Sequence, residues 1–218
     1  MAGSNGPQTE TAPRRKNMRR EDREKLIVTE AVRFFAECGF EGQTRELAKR
    51  MGISHAVIYR HFDSKDALIE RVYDHVYVKR WNPEWEPLVL DRSRSLKARL
   101  TQFYIEYAGR VFDYDWVRIF VSSGLKSYGL TARYLDLIRT KIIQPAALEL
   151  RHEMDPGAAS SPLTEEEVEL FWGLHGAVFY IAIRKYVYGE RIEIDIETAV
   201  RNTVTTFFDG LTTAVPNG

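Results

Sequence analysis

Cysteine is nearly missing from this chain. Cys38 is the only one among 218 residues, so no disulfide can form within the chain, and a reducing compartment is the simplest setting. Long apolar runs are missing too: none approaches the roughly 18 residues that cross a bilayer. The opening residues MAGSNGPQTETAPRRKNMRR hold no apolar signal core. A cytoplasmic protein is expected, neither spanning a membrane nor secreted, with no membrane partner. The motifs of common catalysts are likewise absent. There is no G-x-S-x-G elbow, no H-E-x-x-H, no C-x-x-C and no glycine-rich phosphate loop. His55, His61, His75, His152 and His175 have no short spacing that builds a metal site. An enzyme using a helical pocket is therefore the poorer reading, and neither a cofactor nor a metal is expected.

What is present is ordinary for a globular protein: 44% apolar and 28% charged residues. Net charge is zero, but it is unevenly spread. Residues 1–80 carry 16 Lys+Arg against 12 Asp+Glu, and the remainder 15 against 19. A basic first part and an acidic remainder suggest that only the first part meets a polyanion. The length suits two small domains better than one large one.

Strand patterns are lacking, and helical periodicity fills the chain. Residues 1–20 are Gly, Ser, Asn, Pro and Thr followed by basic residues, a composition that cannot bury enough apolar surface to order itself. Arg14, Arg15, Lys16, Arg19 and Arg20 could form an arm in a minor groove or a solvated tail. From Glu21 to Cys38 the residues Ile27, Ala31, Phe34, Phe35 and Cys38 recur at helical spacing, which puts Cys38 in the core rather than in a sensor's position. Gly39 supplies the stop. Short helices are expected in TRELAKRM and HAVIYRHF, and a fourth from Ser64 through Arg80. WNPEWEP reads as a bend. Further helices are expected from Ser95 to Phe112, Tyr114 to Leu125 and Thr131 to Glu153, the last kinked near Lys141 by Pro145. MDPGAASSP reads as a loop. Thr164 and Glu167 form a capping box opening a helix to about Tyr188, and a last helix runs from Ile196 to Leu211.

In TRELAKRMGISHAVIYRHF, the residues Leu47, Ala48, Met51, Ile53, Ile58 and Phe62 can share one small core, with Gly52 turning the chain between two short helices. With Ile58 and Phe62 inward, Ala56, Val57, Tyr59 and Arg60 fall outward or at the flanks. Small residues at the start let the helix end enter a major groove, while Tyr59, Arg60 and His61 reach phosphates at its edges. Ser64 and Lys65 open the next helix, where free amides and an ammonium suit another phosphate.

Taken together, Gly39-Phe40, Thr44-Arg45-Glu46-Leu47-Ala48, Gly52-Ile53-Ser54, Tyr59-Arg60-His61-Phe62, Ser64-Lys65 and Leu68 resemble the signature of TetR-family transcriptional regulators. The resemblance covers residues 21–70. It implies an all-α protein with a helix-turn-helix DNA-binding domain over 21–68 and a helical-bundle domain over 69–218 that binds ligand and dimerises. It also implies a homodimer on a palindromic operator of double-stranded DNA, and a small-molecule inducer. Carried over by position, the DNA-binding residues are Thr44 and Arg45 at the second helix start, His55, Ala56, Val57, Tyr59, Arg60 and His61 on the recognition helix, and Lys65 on a phosphate. The pattern departs at Gln43, which stands where Ser or Thr often caps the helix, after a loop one residue shorter than is common.

The later part is rich in aromatics. Trp116, Phe120, Tyr128, Trp172 and Phe179, with His175 among them, are candidates to line a pocket for an apolar or aromatic inducer; plain core is the competing reading. Gly173, Gly176, Ala177 and Ala182 would let another helix approach, and dimerisation through the last two helices follows. The expected function is a ligand-responsive regulator, read as a repressor. An activator stays open, because the sign depends on where the operator lies. A DNA-anchored architectural protein without a small ligand is the alternative.

Overall fold

The computed structural model describes residues 19–125, 129–155, 157 and 161–214. The basic residues Arg14, Arg15 and Lys16, the candidate Tyr128 and most of the loop after Met154 lie outside the described residues. Eleven α-helices and no strand are found among those described.

Helix α1 (Arg20–Cys38) carries an apolar face of Ile27, Ala31, Phe34 and Phe35, all buried. Gly39 ends it at φ 74°, a left-handed conformation cheap only for glycine. Cys38 departs from the expected core position: it is exposed. It is the last residue of the helix, where the stripe has run past the core, and its thiol donates to the Phe34 carbonyl at 3.0 Å. Partial burial pushes the thiol pKa up, away from the reactive thiolate. Helices α2 (Thr44–Arg50) and α3 (His55–Tyr59) are joined through Gly52 at φ 63°. Leu47, Ala48, Ile58 and Phe62 are buried against α1, while Met51 and Ile53 pack partly buried beside them. The third helix is shorter than HAVIYRHF, although Phe62 still donates its amide to the Ile58 carbonyl at 3.0 Å.

Helix α4 (Lys65–Val76) begins on Ser64, whose hydroxyl accepts the Ala67 amide at 3.0 Å, and its Leu68, Ile69 and Val72 close the small core. It ends at Val76 instead of running to Arg80, and a 3-10 turn, Val78–Arg80, follows. The expected bend WNPEWEP is partly helical: α5 (Trp85–Leu90) starts inside it. Pro87 is tolerated because it is the third residue of that helix, where the amide has no partner within the helix. Trp85 anchors the segment, buried to 1% exposure with its indole N–H donating to Glu106 at 3.1 Å.

The bundle continues with α6 (Leu96–Val111), α7 (Tyr114–Leu125), α8 (Leu130–Ile138), α9 (Gln144–Met154), α10 (Glu165–Tyr186) and α11 (Ile196–Ala214). The single kinked helix expected over 131–153 is two helices joined by a π-helical turn, Arg139–Ile143. Pro145 explains the break. It has no amide to offer the Lys141 carbonyl, and its ring crowds that carbonyl, so the ladder widens by one residue there. The capping box forms as read: Thr164 accepts the Glu167 amide at 3.3 Å and Glu167 accepts the Thr164 amide at 2.8 Å. Helix α6 packs along α11, α10 packs on α7, α9 and α11, and α1 packs on both α4 and α7. Arg99, fully buried, bonds Glu149 at 2.9 Å and Glu153 at 3.0 Å, tying α6 to α9.

Candidate nucleic-acid interface and inner cavity

Three of the nine expected DNA-binding residues meet in one polar cluster between α2 and α3. The Thr44 hydroxyl lies 2.9 Å from His55 Nε2 and 3.2 Å from the Tyr59 hydroxyl. The His55 and Tyr59 rings meet edge to face with centroids 4.8 Å apart. The spacing is set by the turn: His55 and Tyr59 are four apart on α3, hence on one face, and Gly52 folds that face back onto the first residue of α2. Thr44 is buried and Tyr59 is 40% exposed, so the cluster offers mainly the Tyr59 hydroxyl to a partner. Gln43 gives α2 no side-chain cap, as its departure from the Ser/Thr pattern implies.

Around this cluster Arg45, Ala56 and Arg60 are exposed, and Val57 and Lys65 are half-buried. Arg45, Arg60 and Lys65 form no ion pair with any described residue, so their charges are not neutralised within the described fold. Arg50, by contrast, is held by both oxygens of Glu37 at 2.6 and 2.8 Å. His61 is placed differently from the expectation. Its Nδ1 lies 3.3 Å from the Glu24 carboxylate on α1, and only 13% of its side chain is exposed. The contact holds the Glu24 carboxyl below its usual pKa, with Arg20 adding to the effect. His61 thus fastens the end of the recognition segment to α1. The geometry is a short, small-residue helix start flanked by unpaired cations and a phenol. Such a face can enter a major groove and bond phosphates on either side.

The second feature is a partly open cavity of about 180 Å³ between helices α6, α7, α8 and α10. Trp116, Phe120, Trp172, His175 and Phe179, five of the six expected pocket residues, line it. The Trp116 and Phe120 rings, four residues apart on α7, stack 5.1 Å apart at 8°, and the Phe179 ring on α10 meets Phe120 edge to face at 5.2 Å. Tyr107 and Tyr134 also line the cavity, with hydroxyls 3.3 Å apart. They lie within the aromatic stretch of the sequence, yet nothing in spacing separates them from core tyrosines. Trp116 Nε1 and His175 Nδ1 are buried without a hydrogen-bond partner in the described fold. Burial pushes the His175 pKa down to about 4, so its ring is neutral at pH 7.

Helix α7 joins the two features. While Trp116 and Phe120 face the cavity, Arg118 donates its Nε–H to the Ala36 carbonyl near the end of α1 at 2.7 Å. The last turn of α1 has no basic residue of its own, so Arg118 complements its carbonyl end. Ser122 comes so close to the Gly39 turn that a Cβ there would sit 2.6 Å from its hydroxyl oxygen.

On the opposite side of α10, Leu170, Gly173 and Ala177 are exposed along a groove of about 680 Å³ shared with Asn202, Thr206 and Phe207 of α11. Gly176 borders the cavity, and Ala182 is buried in the core. Among the described residues no helix is long and apolar enough to cross a membrane.

Residues 27–72 match the model for bacterial regulatory proteins of the tetR family. No curated protein matches the chain. Solved structures share its fold. A transcriptional regulator from Pseudomonas aeruginosa PAO1 superposes with a TM-score of 0.64 at 16% identity, covering 90% of this chain and 93% of that one. The TetR-family regulator PfmR from Thermus thermophilus gives 0.58 at 21% identity over 85% and 98%. A protein assigned to the same family from Mesorhizobium loti MAFF303099 gives 0.58 at 15% over 89% and 98%. At these identities the likeness to the solved structures is one of fold, and the match over 27–72 carries the assignment. Residues 27–72 thus form a DNA-binding domain of the tetR-family type, and through it the chain is a DNA-binding transcriptional regulator.

Proposed function

We propose that the protein is a repressor that a small molecule releases from a palindromic operator. In this reading residues 21–68 hold the half-operator and 69–218 bind the effector and pair two copies. Ala56 and Val57 approach base edges, while Arg45, Tyr59, Arg60 and Lys65 bond phosphates. Thr44 and His55 position Tyr59, and His61 positions the helix through Glu24. The exposed small residues of α10 beside α11 support a two-fold pairing in which four helices meet. Such a dimer presents its two α3 helices to successive major grooves about 34 to 36 Å apart.

The observation that carries the reading is the position of α7, whose Trp116 and Phe120 wall the cavity while Arg118 bonds the end of α1 and Ser122 lies close against the Gly39 turn. A ligand that repacks the aromatic wall displaces the same helix that holds the DNA-binding helices, and the population shifts toward a dimer that no longer fits two half-sites. The test is an operator duplex followed by fluorescence anisotropy against a panel of small aromatic compounds. An effector is expected to lower operator affinity about 5- to 150-fold, the usual range of about 1 to 3 kcal/mol, and the operator must weaken that compound by the same factor. Operator binding indifferent to the whole panel would favour a DNA-anchored architectural protein.

A further inference from the structure

One proton decides what the polar cluster between α2 and α3 can offer to DNA. The Thr44 hydroxyl stands between His55 Nε2 at 2.9 Å and the Tyr59 hydroxyl at 3.2 Å. It carries a single hydrogen, so it donates to one neighbour and accepts from the other. When Nε2 is bare, Thr44 donates to it, Tyr59 donates to Thr44, and the phenol hydrogen is used inside the cluster. When Nε2 bears a proton, every bond runs the other way: Nε2–H donates to Thr44, Thr44 donates to Tyr59, and the phenol hydrogen is left over. A DNA phosphate oxygen only accepts, so only this second order meets it without breaking a bond.

Nothing in the described fold fixes that order. A histidine's tautomer is set by the bond its other ring nitrogen makes, and Nδ1 of His55 has no hydrogen-bond partner among the described residues. The groups in contact with the ring are Thr44 from α2 and Tyr59 from its own helix, both uncharged hydroxyls. No described carboxylate or cation pairs with it; Glu24, which does meet a histidine, takes His61. The charges that flank the cluster in sequence are Arg45 and Glu46 on α2 and Arg60 after α3, all exposed. We propose that His55 sets the direction of this relay by taking up a proton as the operator binds, which turns the Tyr59 hydroxyl into a phosphate donor; this rests on the reading of Tyr59 as a phosphate contact.

The imidazolium holds a proton on both ring nitrogens, so it excludes the inward order, whereas the neutral ring passes between the two. The negative phosphates also favour a positive ring behind the phenol. Both effects are realised only against DNA. Binding therefore draws a proton in, and operator affinity rises as the pH falls through the histidine range. Within the relay His55 acts through Thr44 and is a positioning residue. The outward order spares Tyr59 from giving up its bond to Thr44, an effect of roughly 2- to 10-fold at each half-site.

Fluorescence anisotropy of the full-length protein on an operator duplex selected from a random library, at constant salt between about pH 8 and about pH 6, tests this. The parent is expected to bind at least about fivefold more tightly at the lower pH. His55→Gln keeps an amide to bond Thr44 but cannot gain a proton, so its affinity should vary less than about twofold. Thr44→Val leaves His55 free to titrate and cuts the relay; it should be flat as well, and Thr44→Ser should restore the response. Either position suffices if a variant at the other fails to fold. A parent flat in pH overturns the proposal. So does a response that survives His55→Gln, which would place the proton on another group such as His61. A response that survives Thr44→Val or Tyr59→Phe also overturns it, because the imidazolium would then act on phosphate without the relay. Tyr59→Phe separates the two readings. If it binds like the parent at every pH, the phosphate contact and the relay fail together; if it binds more weakly than a parent that is flat in pH, the relay alone fails.

Discussion

Removing a single oxygen at Tyr59 separates its two jobs. In Tyr59→Phe the ring keeps its edge contact with His55 at 4.8 Å, while the hydroxyl 3.2 Å from Thr44 is lost. Thr44 retains His55 at 2.9 Å, so no buried hydroxyl is left without a partner. Because Tyr59 is 40% exposed, the stability cost should be small, about 0.5 to 1 kcal/mol. A hydroxyl bonded to a phosphate is worth more, about 1 to 2 kcal/mol at a wet interface. A dimer on two half-sites loses it twice. The expected loss is therefore about 2 to 4 kcal/mol, or roughly 30- to 1,000-fold in operator affinity. A neutral donor releases no counterion, so the salt dependence should keep its slope. Anisotropy titrations from low to physiological salt, beside thermal melts of both proteins, measure all three quantities. Operator affinity within about twofold of the parent at unchanged stability would refute the phosphate role and reduce Tyr59 to a packing residue.

Other perturbations separate charge, coupling and scaffold. Lys65→Ala should weaken operator and random duplex alike and flatten the plot of log affinity against log salt by about 0.9 per lost phosphate contact, or nearly 2 for a dimer. Arg118→Met removes the bond to the Ala36 carbonyl and is expected to halve or more the free energy by which effector and operator oppose each other, with effector affinity itself within about twofold. Arg99→Met leaves Glu149 beside Arg92 but abolishes the fully buried guanidinium; urea unfolding should show a loss of about 3 to 5 kcal/mol. A loss under about 1 kcal/mol would mean that the cluster does not hold α6 to α9. Glu167, bonded by Arg151 and by the Thr164 amide, is held down to about 2. A lowered carboxylate pKa stabilises the fold above the ordinary value near 4.5, and that contribution disappears as the pH falls from there toward 2. Acid titration of Glu167→Gln by circular dichroism should lack this component, and an identical acid profile would contradict it.

The parts of the fold readable from sequence were those in which local rules and burial agree. The α1 stripe from Ile27 to Phe35, the glycine turn at Gly52, the Thr164–Glu167 box and the inward pair Ile58 and Phe62 all appear where spacing puts them. The departures have local causes. Pro87 reads as a breaker from sequence but is harmless in the first turn of α5, whereas Pro145 splits its helix through a π turn instead of merely bending it. Cys38 continues a stripe whose core has already ended. Side-chain partners across the chain were the hardest to foresee. The Glu24 contact of His61 spans 37 positions, and Arg118 reaches back 82 to Ala36. Neither has a periodic signature. The aromatic pocket residues were legible as a group, but which tyrosines joined them depended on how α6 and α8 pack, and so Tyr107 and Tyr134 escaped notice.

The most direct test of the central claim is to let the protein choose its own DNA: bound duplexes are selected from a randomised library at roughly physiological salt and sequenced. The account predicts an inverted repeat whose half-site centres lie about one helical turn, or a small multiple of it, apart. Recovery of bound duplexes with no shared motif, or no binding at all, would contradict it.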